Sequence, residues 1–487
     1  MWQDNTDRFY IGGAWRPAAS AETVDVVSPT TDETIARVAL GAPSDMDAAV
    51  AAARDAFDRG PWPRMSVAER AALIRGFRDR LAGHGEQIAV TVTTEMGCPI
   101  TQTRAAQVGA STALLDINLE LAEQYPWRYT RSGRTGNAVV LRRPVGVVAA
   151  IVPWNSPVAV AMLKLAPALV AGCTVVLKPA PESPLSAHFL ARAAAEAGLP
   201  PGVLNIVAAD RAAGEHLVTH PGVDKVSFTG STTAGRRIAS ACGNDLRRVT
   251  LELGGKSAAI ILDDADLDAA VTSLRGASFR YNGQACVGKT RIIATRRRYA
   301  EVVDALTAMV GDLRVGDPAD PDTEIGPLVS ARQRDRVETY IAQGRAEGAR
   351  VTVGGGRPAD RPAGQFVQPT VFADVRSDMV IAQEEIFGPV ICVLTADDED
   401  EAIDIANDSA YGLSGAVYSA DLDHAFAVAQ RIRTGGVDIN GAGIGFHAPF
   451  GGVKRSGIGR EAGLEGFDAF VETTSFGVTA EALEHLS

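Results

Sequence analysis

Cys286 closes the run Tyr281-Asn282-Gly283-Gln284-Ala285-Cys286, behind a glycine turn and not among aliphatic neighbours. A thiol so placed is either a small buried hydrophobe or a nucleophile, and only its partners decide between the two. Thr250-Leu251-Glu252-Leu253-Gly254-Gly255-Lys256 sets one carboxylate between leucines, just ahead of a Gly-Gly bend. If buried, that carboxyl has a raised pKa and suits general-base work; if it lies on an edge, it simply faces water. Pro153-Trp154-Asn155 follows the apolar run 145–152, so the Asn155 amide can serve an oxyanion or cap the next helix.

Three further stretches are dense in Gly, Pro and rings. Gly230-Ser231-Thr232-Thr233-Ala234-Gly235 joins a strand pattern to a helix pattern, where free N–H groups and the helix dipole suit a phosphate and small residues equally suit a tight turn. It is neither GxGxxG nor a P-loop, because Arg236 follows Gly235. Glu252 lies where a dinucleotide fold often places a ribose-binding acid, but its setting between leucines argues against that role. Glu384-Glu385-Ile386-Phe387-Gly388-Pro389 joins carboxylates to a ring, suited to a sugar hydroxyl and a stacked heterocycle, and Pro449-Phe450-Gly451-Gly452 with Ser456-Gly457-Ile458-Gly459-Arg460-Glu461 reads as a rigid lining loop.

The elements that must position these groups belong to an α/β protein. With 487 residues the chain exceeds one compact core and predicts two or three domains. A formal net charge of -12 argues against nucleic acid or an acidic membrane as the main partner and favours small molecules. The 5 cysteines are scattered without a CxxC pair, so neither a disulfide framework nor a metal site is expected and a reducing cytoplasm fits. Met1-Trp2-Gln3-Asp4-Asn5 has no basic and apolar secretory pattern, and the apolar stretch 165–177, interrupted by Pro167 and Gly172, is too short to span a bilayer.

Phe9 to Trp15 reads as a hairpin around Gly12-Gly13. Helical spacing covers 44–57 and 67–82, the second opened by a Ser66/Glu69 capping box. An extended excursion occupies 126–143. The apolar runs 145–152 and 173–177 predict strands buried on both faces; the helix 186–197, the strands 203–207 and 225–228 and the helix 233–242 continue a doubly wound sheet. A second α/β series follows, with helices at 267–277, 299–310 and 331–347 and strands at 291–294, 390–394, 415–418 and 437–439. Residues 470–478 form a lone strand seeking a partner.

Pro153-Trp154-Asn155, Lys178-Pro179-Ala180, Phe228-Thr229-Gly230-Ser231-Thr232, Leu251 to Lys256, Gly283-Gln284-Ala285-Cys286, Glu384 to Pro389 and Pro449-Phe450-Gly451-Gly452 occur in this order along nearly the whole chain. Together they make the chain resemble the NAD(P)-dependent aldehyde dehydrogenase superfamily. The resemblance implies a doubly wound parallel-sheet cofactor domain (1–127 and 147–253, with 449–464 returning to it), a second α/β catalytic domain (254–448) and a small β oligomerisation excursion (128–146 and 465–487). It implies a homo-oligomer, dimer or tetramer, acting on a small-molecule aldehyde.

It also implies roles. Cys286 is the nucleophile, Asn155 and the Cys286 backbone N–H hold the oxyanion, Glu252 activates the hydrolytic water, and Lys164 organises protons near that glutamate. Lys178 meets the adenosine ribose, Ser231 and the Gly230 turn the pyrophosphate, Glu385 the nicotinamide ribose and Phe387 the ring, with Ile151, Pro153, Trp154 and Leu253 adding contacts. NAD is the implied cofactor; NADP stays admitted, because Pro181 stands where many NAD-preferring members carry a glutamate and Glu182 is displaced by one. Ser156, Val160, Leu163, Ile444 and Phe450 would line a mostly apolar tunnel for an apolar or aromatic aldehyde. Arg280 keeps an anionic semialdehyde as an alternative, although Leu163 stands where a second arginine would complete the clamp; His447 reads as a solvated loop histidine that could also approach the tunnel mouth. Thiol esterase activity of the Cys286–Glu252 pair is the other alternative.

Overall fold

A computed structural model describes residues 5–486; the sequence reading of Met1 to Asp4 lies outside them. Five parallel strands form the middle of an eight-stranded sheet, in the order Arg248–Glu252, Lys225–Thr229, Val147–Ile151, Thr174–Lys178 and Leu204–Ile206. Every residue of Val147–Ile151 and Thr174–Lys178 is buried, which is why both read as unbroken apolar runs and not as alternating ones. The chain lays down strands on one side of Val147–Ile151, then returns to its other side with Lys225–Thr229. That reversal opens a crevice at the carboxyl ends of these two strands, where doubly wound sheets bind ligands. The hairpin Arg8–Ile11 and Ala14–Pro17 closes one edge, and Gly457–Ile458 pairs with Arg248–Glu252 at the other.

A seven-stranded second sheet runs Arg350–Val353, Thr370–Ala373, Val390–Ala396, Lys289–Thr295, Ser257–Ile261, Ser414–Tyr418 and Gly436–Ile439, parallel except at its first pair. Its relation to the crevice is the reverse of the first sheet's. Ser257–Ile261 starts just after Glu252-Leu253-Gly254-Gly255, Lys289–Thr295 just after Cys286, and Val390–Ala396 just after Glu384 to Pro389. Strands ending in one sheet and strands beginning in the other therefore converge on one cleft.

The helix Pro157–Ala171 lies under this cleft. Pro157 opens it at a position where a missing N–H costs nothing, and Gly172 ends it in the left-handed region. All its residues but Val160 are buried, and each buried leucine contributes about 2 kcal/mol of apolar burial. The apolar stretch 165–177 is thus the end of a buried helix followed by a buried strand. Among the described residues no helix is long and apolar enough to cross a membrane.

The Ser66/Glu69 capping box forms in both directions at the helix Val67–Gly83. The excursion 126–143 becomes Arg128–Gly133 and Gly136–Pro144, which pair with Val471–Val478 into a three-stranded sheet; the lone C-terminal strand finds its partner within the chain. Sequence patterning passed over the hairpin Thr23–Val27 and Thr34–Ala39 and the helices Gly85–Met96 and Ala110–Gln124.

Candidate active site

The loop that presents Cys286 is built from left-handed backbone. Tyr281, Asn282 and Gly283 have φ of 54°, 62° and 74°, and a Cβ on Gly283 would collide with the carbonyl of Gly388, so glycine is required there. The two amide side chains of the loop are fully buried and act as its anchors. Asn282 Nδ2 donates to the carbonyls of Gly97 and Pro327, both at 2.8 Å, while its Oδ1 accepts from Gly326 N at 2.7 Å. Gln284 Nε2 donates to Tyr281 O and its Oε1 accepts from Val329 N.

Cys286 is thereby held at the wall of a cavity of about 460 Å³, lined also by Pro153, Trp154, Asn155, Val160, Gly230, Ser231, Leu253, Glu385 and Phe387. The side-chain amide of Asn155 donates to Gln284 O at 2.8 Å. An amide nitrogen carries two N–H donors, so one remains for a ligand beside the thiol. The residue before the helix Pro157–Ala171 is Ser156, without a side-chain cap, so Asn155 is not spent on capping. Burial, then the charges of Glu385 and Glu252, push the Cys286 thiol up to about 12; the backbone N–H groups of Cys286 and Val287 work in the opposite direction.

Glu252 ends its strand buried, and among the described residues neither of its carboxylate oxygens has a hydrogen-bond partner. Burial first, and the charge of Glu461 second, raise its pKa well above the ordinary carboxylate value, against the pull of Lys164 and Arg460. Lys164 is fully buried and pairs with Glu461 Oε1 at 2.5 Å, donating also to Thr229 Oγ1 at 2.8 Å. Glu461 belongs to the loop read as a rigid lining, and its partnership with Lys164 was not read from sequence. It brings two carboxyls and an ammonium together in the dry interior.

A second cavity, of about 850 Å³, adjoins the first through the shared Ser231 and Arg332 and contains Ile151, Lys178, Pro181 and Glu182. Lys178 Nζ donates to Ala209 O at 2.6 Å, and burial pulls its pKa down to about 8. Ser231 caps the helix Thr232–Asn244 by accepting from Ala234 N, leaving the helix amino end at the junction of the two cavities. Glu182 pairs with Arg332 at 2.9 Å. Glu385 Oε1 accepts from Gly255 N at 2.9 Å, and burial lifts its carboxyl to about 7. Phe387, at φ 63°, meets the edge of Trp154 with ring centroids 5.4 Å apart.

Arg332, Gln333 and Arg336 on the helix Ala331–Ala346 also line the first cavity. Gln333 Nε2 donates to Phe387 O and Arg336 to Glu385 O, so this helix holds the Glu385 to Phe387 segment in place. These residues were missed; the one signal was their spacing along a single helix face.

Of the tunnel residues, Val160 alone lines the Cys286 cavity. Ser156 is buried and accepts from Gln107 Nε2 at 2.9 Å; Leu163 is packed in the core; Phe450 is half-buried, its backbone paired with Glu461; Ile444 and His447 are exposed. Arg280 is exposed and lines a separate cavity of about 410 Å³ with Gln102, Ala106 and Phe279. The structure therefore does not bring Arg280 to the wall that carries Cys286.

A thiol, a buried carboxyl and two adjoining cavities thus meet at the switch point of an α/β fold. Residues 15–476 match the model of the aldehyde dehydrogenase family. The chain is 50% identical to geranial dehydrogenase of Castellaniella defragrans over 95% of its own length and 96% of that protein. It is 44% identical to a 3-succinoylsemialdehyde-pyridine dehydrogenase of a Pseudomonas species, over 95% and 97% of the two chains. The crystal structure of Mycobacterium tuberculosis aldehyde dehydrogenase complexed with NAD+ shares the fold with a TM-score of 0.95 and 47% identity, covering 97% of this chain and 98% of that one. The chain belongs to the aldehyde dehydrogenase family and is an aldehyde-oxidising oxidoreductase.

Proposed function

We propose that this protein oxidises an apolar aldehyde to the carboxylic acid with NAD+, through a thiohemiacetal and a thioester on Cys286. The observation that carries the reading is the shared cavity of Cys286, Asn155, Glu385 and Phe387, whose polar groups converge beside one thiol. The cleft fits the dinucleotide: two chambers joined at a helix amino end suit a pyrophosphate between two nucleosides. Lys178 and Ile151 would hold the adenosine side, Gly230 and Ser231 the pyrophosphate, Glu385 the other ribose, and Pro153, Trp154, Leu253 and Phe387 the nicotinamide. When bound, NAD+ supplies the hydride acceptor.

The chain's own residues do the rest. Cys286 Sγ, its proton given up to solvent through the cleft, attacks the carbonyl carbon as the thiolate. The free N–H of Asn155 and the Cys286 backbone N–H hold the resulting oxyanion, each donor worth about 3 kcal/mol. Loss of hydride leaves a thioester. Glu252 then takes a proton from the attacking water, the C–S bond breaks, and the acid leaves with Cys286 restored as thiolate. Lys164, paired with Glu461 and acting on the charge of Glu252, would organise protons near that carboxyl.

Apolar aldehydes are favoured because the apolar Val160 lines the cavity that holds the thiol while Arg280 opens elsewhere. The geranial dehydrogenase relative supports the same choice. The domain boundaries given above, a cytoplasmic location and a homo-oligomer, dimer or tetramer, built through the sheet of Arg128–Gly133, Gly136–Pro144 and Val471–Val478 complete the proposal; the open edges of its two outer strands call for a covering partner. A panel of terpenoid, aliphatic, aromatic and anionic aldehydes, scored by reduced nicotinamide with NAD+ and NADP+ in parallel, tests it. Preference for apolar aldehydes with NAD+ is expected; no reduction with any aldehyde, or a preference for succinate-type semialdehydes, overturns it.

A further inference from the structure

Lys289 is three residues beyond Cys286 at the start of the strand Lys289–Thr295, and its long cationic side chain is buried. Three residues of chain reach at most about 10 Å, and here the ammonium also turns back, with Nζ 3.4 Å from the carbonyl of Val287, the residue after the thiol. Nζ donates to Ser414 Oγ and pairs with Asp438 Oδ2 at 3.0 Å. Ser414 opens the strand Ser414–Tyr418, and Asp438 lies on Gly436–Ile439, the last strand of the second sheet. The Lys289 side chain thus passes the start of Ser257–Ile261 to reach two strands beyond it. Its own backbone is fixed as well, since Ser278 Oγ donates to Lys289 O at 2.7 Å.

A buried ion pair is a poor way to gain stability, because a pair of apolar side chains of the same volume fills such a site at least as well. Its place three residues beyond the thiol, with a charge interaction between the two groups, supplies a different reason. An ammonium within this reach favours thiolate over thiol, while its carboxylate partner damps that effect. Asp438 also precedes the exposed segment 440–445 and so links the cysteine loop to the strand that leads into it.

We propose that Lys289 and Asp438 are positioning residues that act through Cys286: a balanced charge pair that sets how readily the thiol becomes the nucleophile. The inference rests on the assignment of Cys286 above. The charged groups involved come from every neighbouring element: Glu385 and Glu252 face Cys286, while Asp438 and Arg280 face Lys289, whose own pKa is lowered by burial and raised by Asp438 and by Cys286.

The experiment is the pH dependence of Cys286 alkylation by iodoacetamide in the NAD+-saturated protein, read by mass spectrometry of the Cys286 peptide. The other four cysteines are buried, so the reagent reports on one thiol. Asp438→Asn leaves the ammonium undamped and should lower the alkylation midpoint by about one pH unit, or about tenfold faster reaction below it. Lys289→Met leaves the carboxylate alone and should raise the midpoint by a similar amount. The double variant Lys289→Met/Asp438→Asn should return to near the wild-type midpoint, and Lys289→Arg should hold it. Shifts of the same sign in the two single variants, or no shift in either, overturn the proposal. If Lys289→Met does not fold, Asp438→Asn and the double variant carry the same contrast. Alkylation of Cys286 that spares aldehyde oxidation would remove the nucleophile assignment and leave the alkylation contrast standing.

Discussion

Two parts of one site are built on opposite plans. The Cys286 loop spends its polar side chains completely: Asn282 makes three hydrogen bonds to backbone and Gln284 two, across three successive left-handed residues. The Glu252 region leaves its polar atoms unspent. Among the described residues, both oxygens of Glu252 and Oε2 of Glu461 are buried without a hydrogen-bond partner, near the Lys164 ammonium, with Lys225 also close to Glu461 and Arg460 to Glu252. Buried polar groups are normally satisfied, and exceptions mark a task. A nucleophile must be in one place, whereas a base must be able to hold or release a proton. On the proposed function, the satisfied loop would serve the first need and the unsatisfied carboxyls the second.

The largest test of this contrast removes the thiol. Cys286→Ala should lower turnover on the order of 10⁴-fold or more, because the residual oxyanion donors cannot replace a covalent step. Measurable steady-state oxidation within tenfold of wild type would mean that the rigid loop holds something other than the nucleophile. Glu252→Gln should separate the two halves of the reaction. A burst of reduced nicotinamide close to one per site is expected to survive, followed by a steady state slowed by about 10³-fold. Loss of the burst itself would place Glu252 in the first half and erase the division of labour.

How much of this was legible in the sequence follows the same line. The Cys286 loop could be read because Asn282, Gly283, Gln284 and Cys286 lie within five residues, although the groups that fix it, Gly97, Gly326, Pro327, Val329 and Gly388, are distant in the chain. The capping box at Ser66 and Glu69 and the all-buried strand Val147–Ile151 were legible for the same reason. Lys164 facing Glu461, and Arg336 reaching Glu385 O, join distant parts of the chain through the packing of the two sheets. No periodicity encodes such pairs. The placement of Arg280 shows the limit from the other side: its spacing from Cys286 is local, but the direction of its side chain is set by the end of the helix Leu267–Phe279.

A smaller effect should come from the anchors of the loop. Asn282→Ala leaves the carbonyls of Gly97 and Pro327 and the N–H of Gly326 without their partner, and places alanine in a left-handed conformation. About 3 kcal/mol of stability should be lost, read as a lower urea midpoint at unchanged slope. Turnover per folded molecule should fall as well, since the cysteine loses its fixed position. A variant as stable as wild type would show that the three bonds do not hold the loop.

The smallest effect, and the sharpest on the carboxyl side, lies in the pH dependence of the steady state. Glu252 works as a base only when ionised, and its pKa is raised, so the deacylation rate should climb with pH through that value while the burst does not follow it. Glu461 raises and Lys164 lowers the Glu252 pKa. Glu461→Gln removes a repelling charge and should move the acidic limb to lower pH by about one unit; Lys164→Met removes the attracting charge, leaves Glu461 unopposed and should move it higher by about as much. The second variant also strands a buried carboxylate and should cost about 3 kcal/mol of stability, so the limb must be measured on protein shown to be folded. Equal displacement of both variants in one direction would mean that Glu461 and Lys164 support the fold and leave the base untouched.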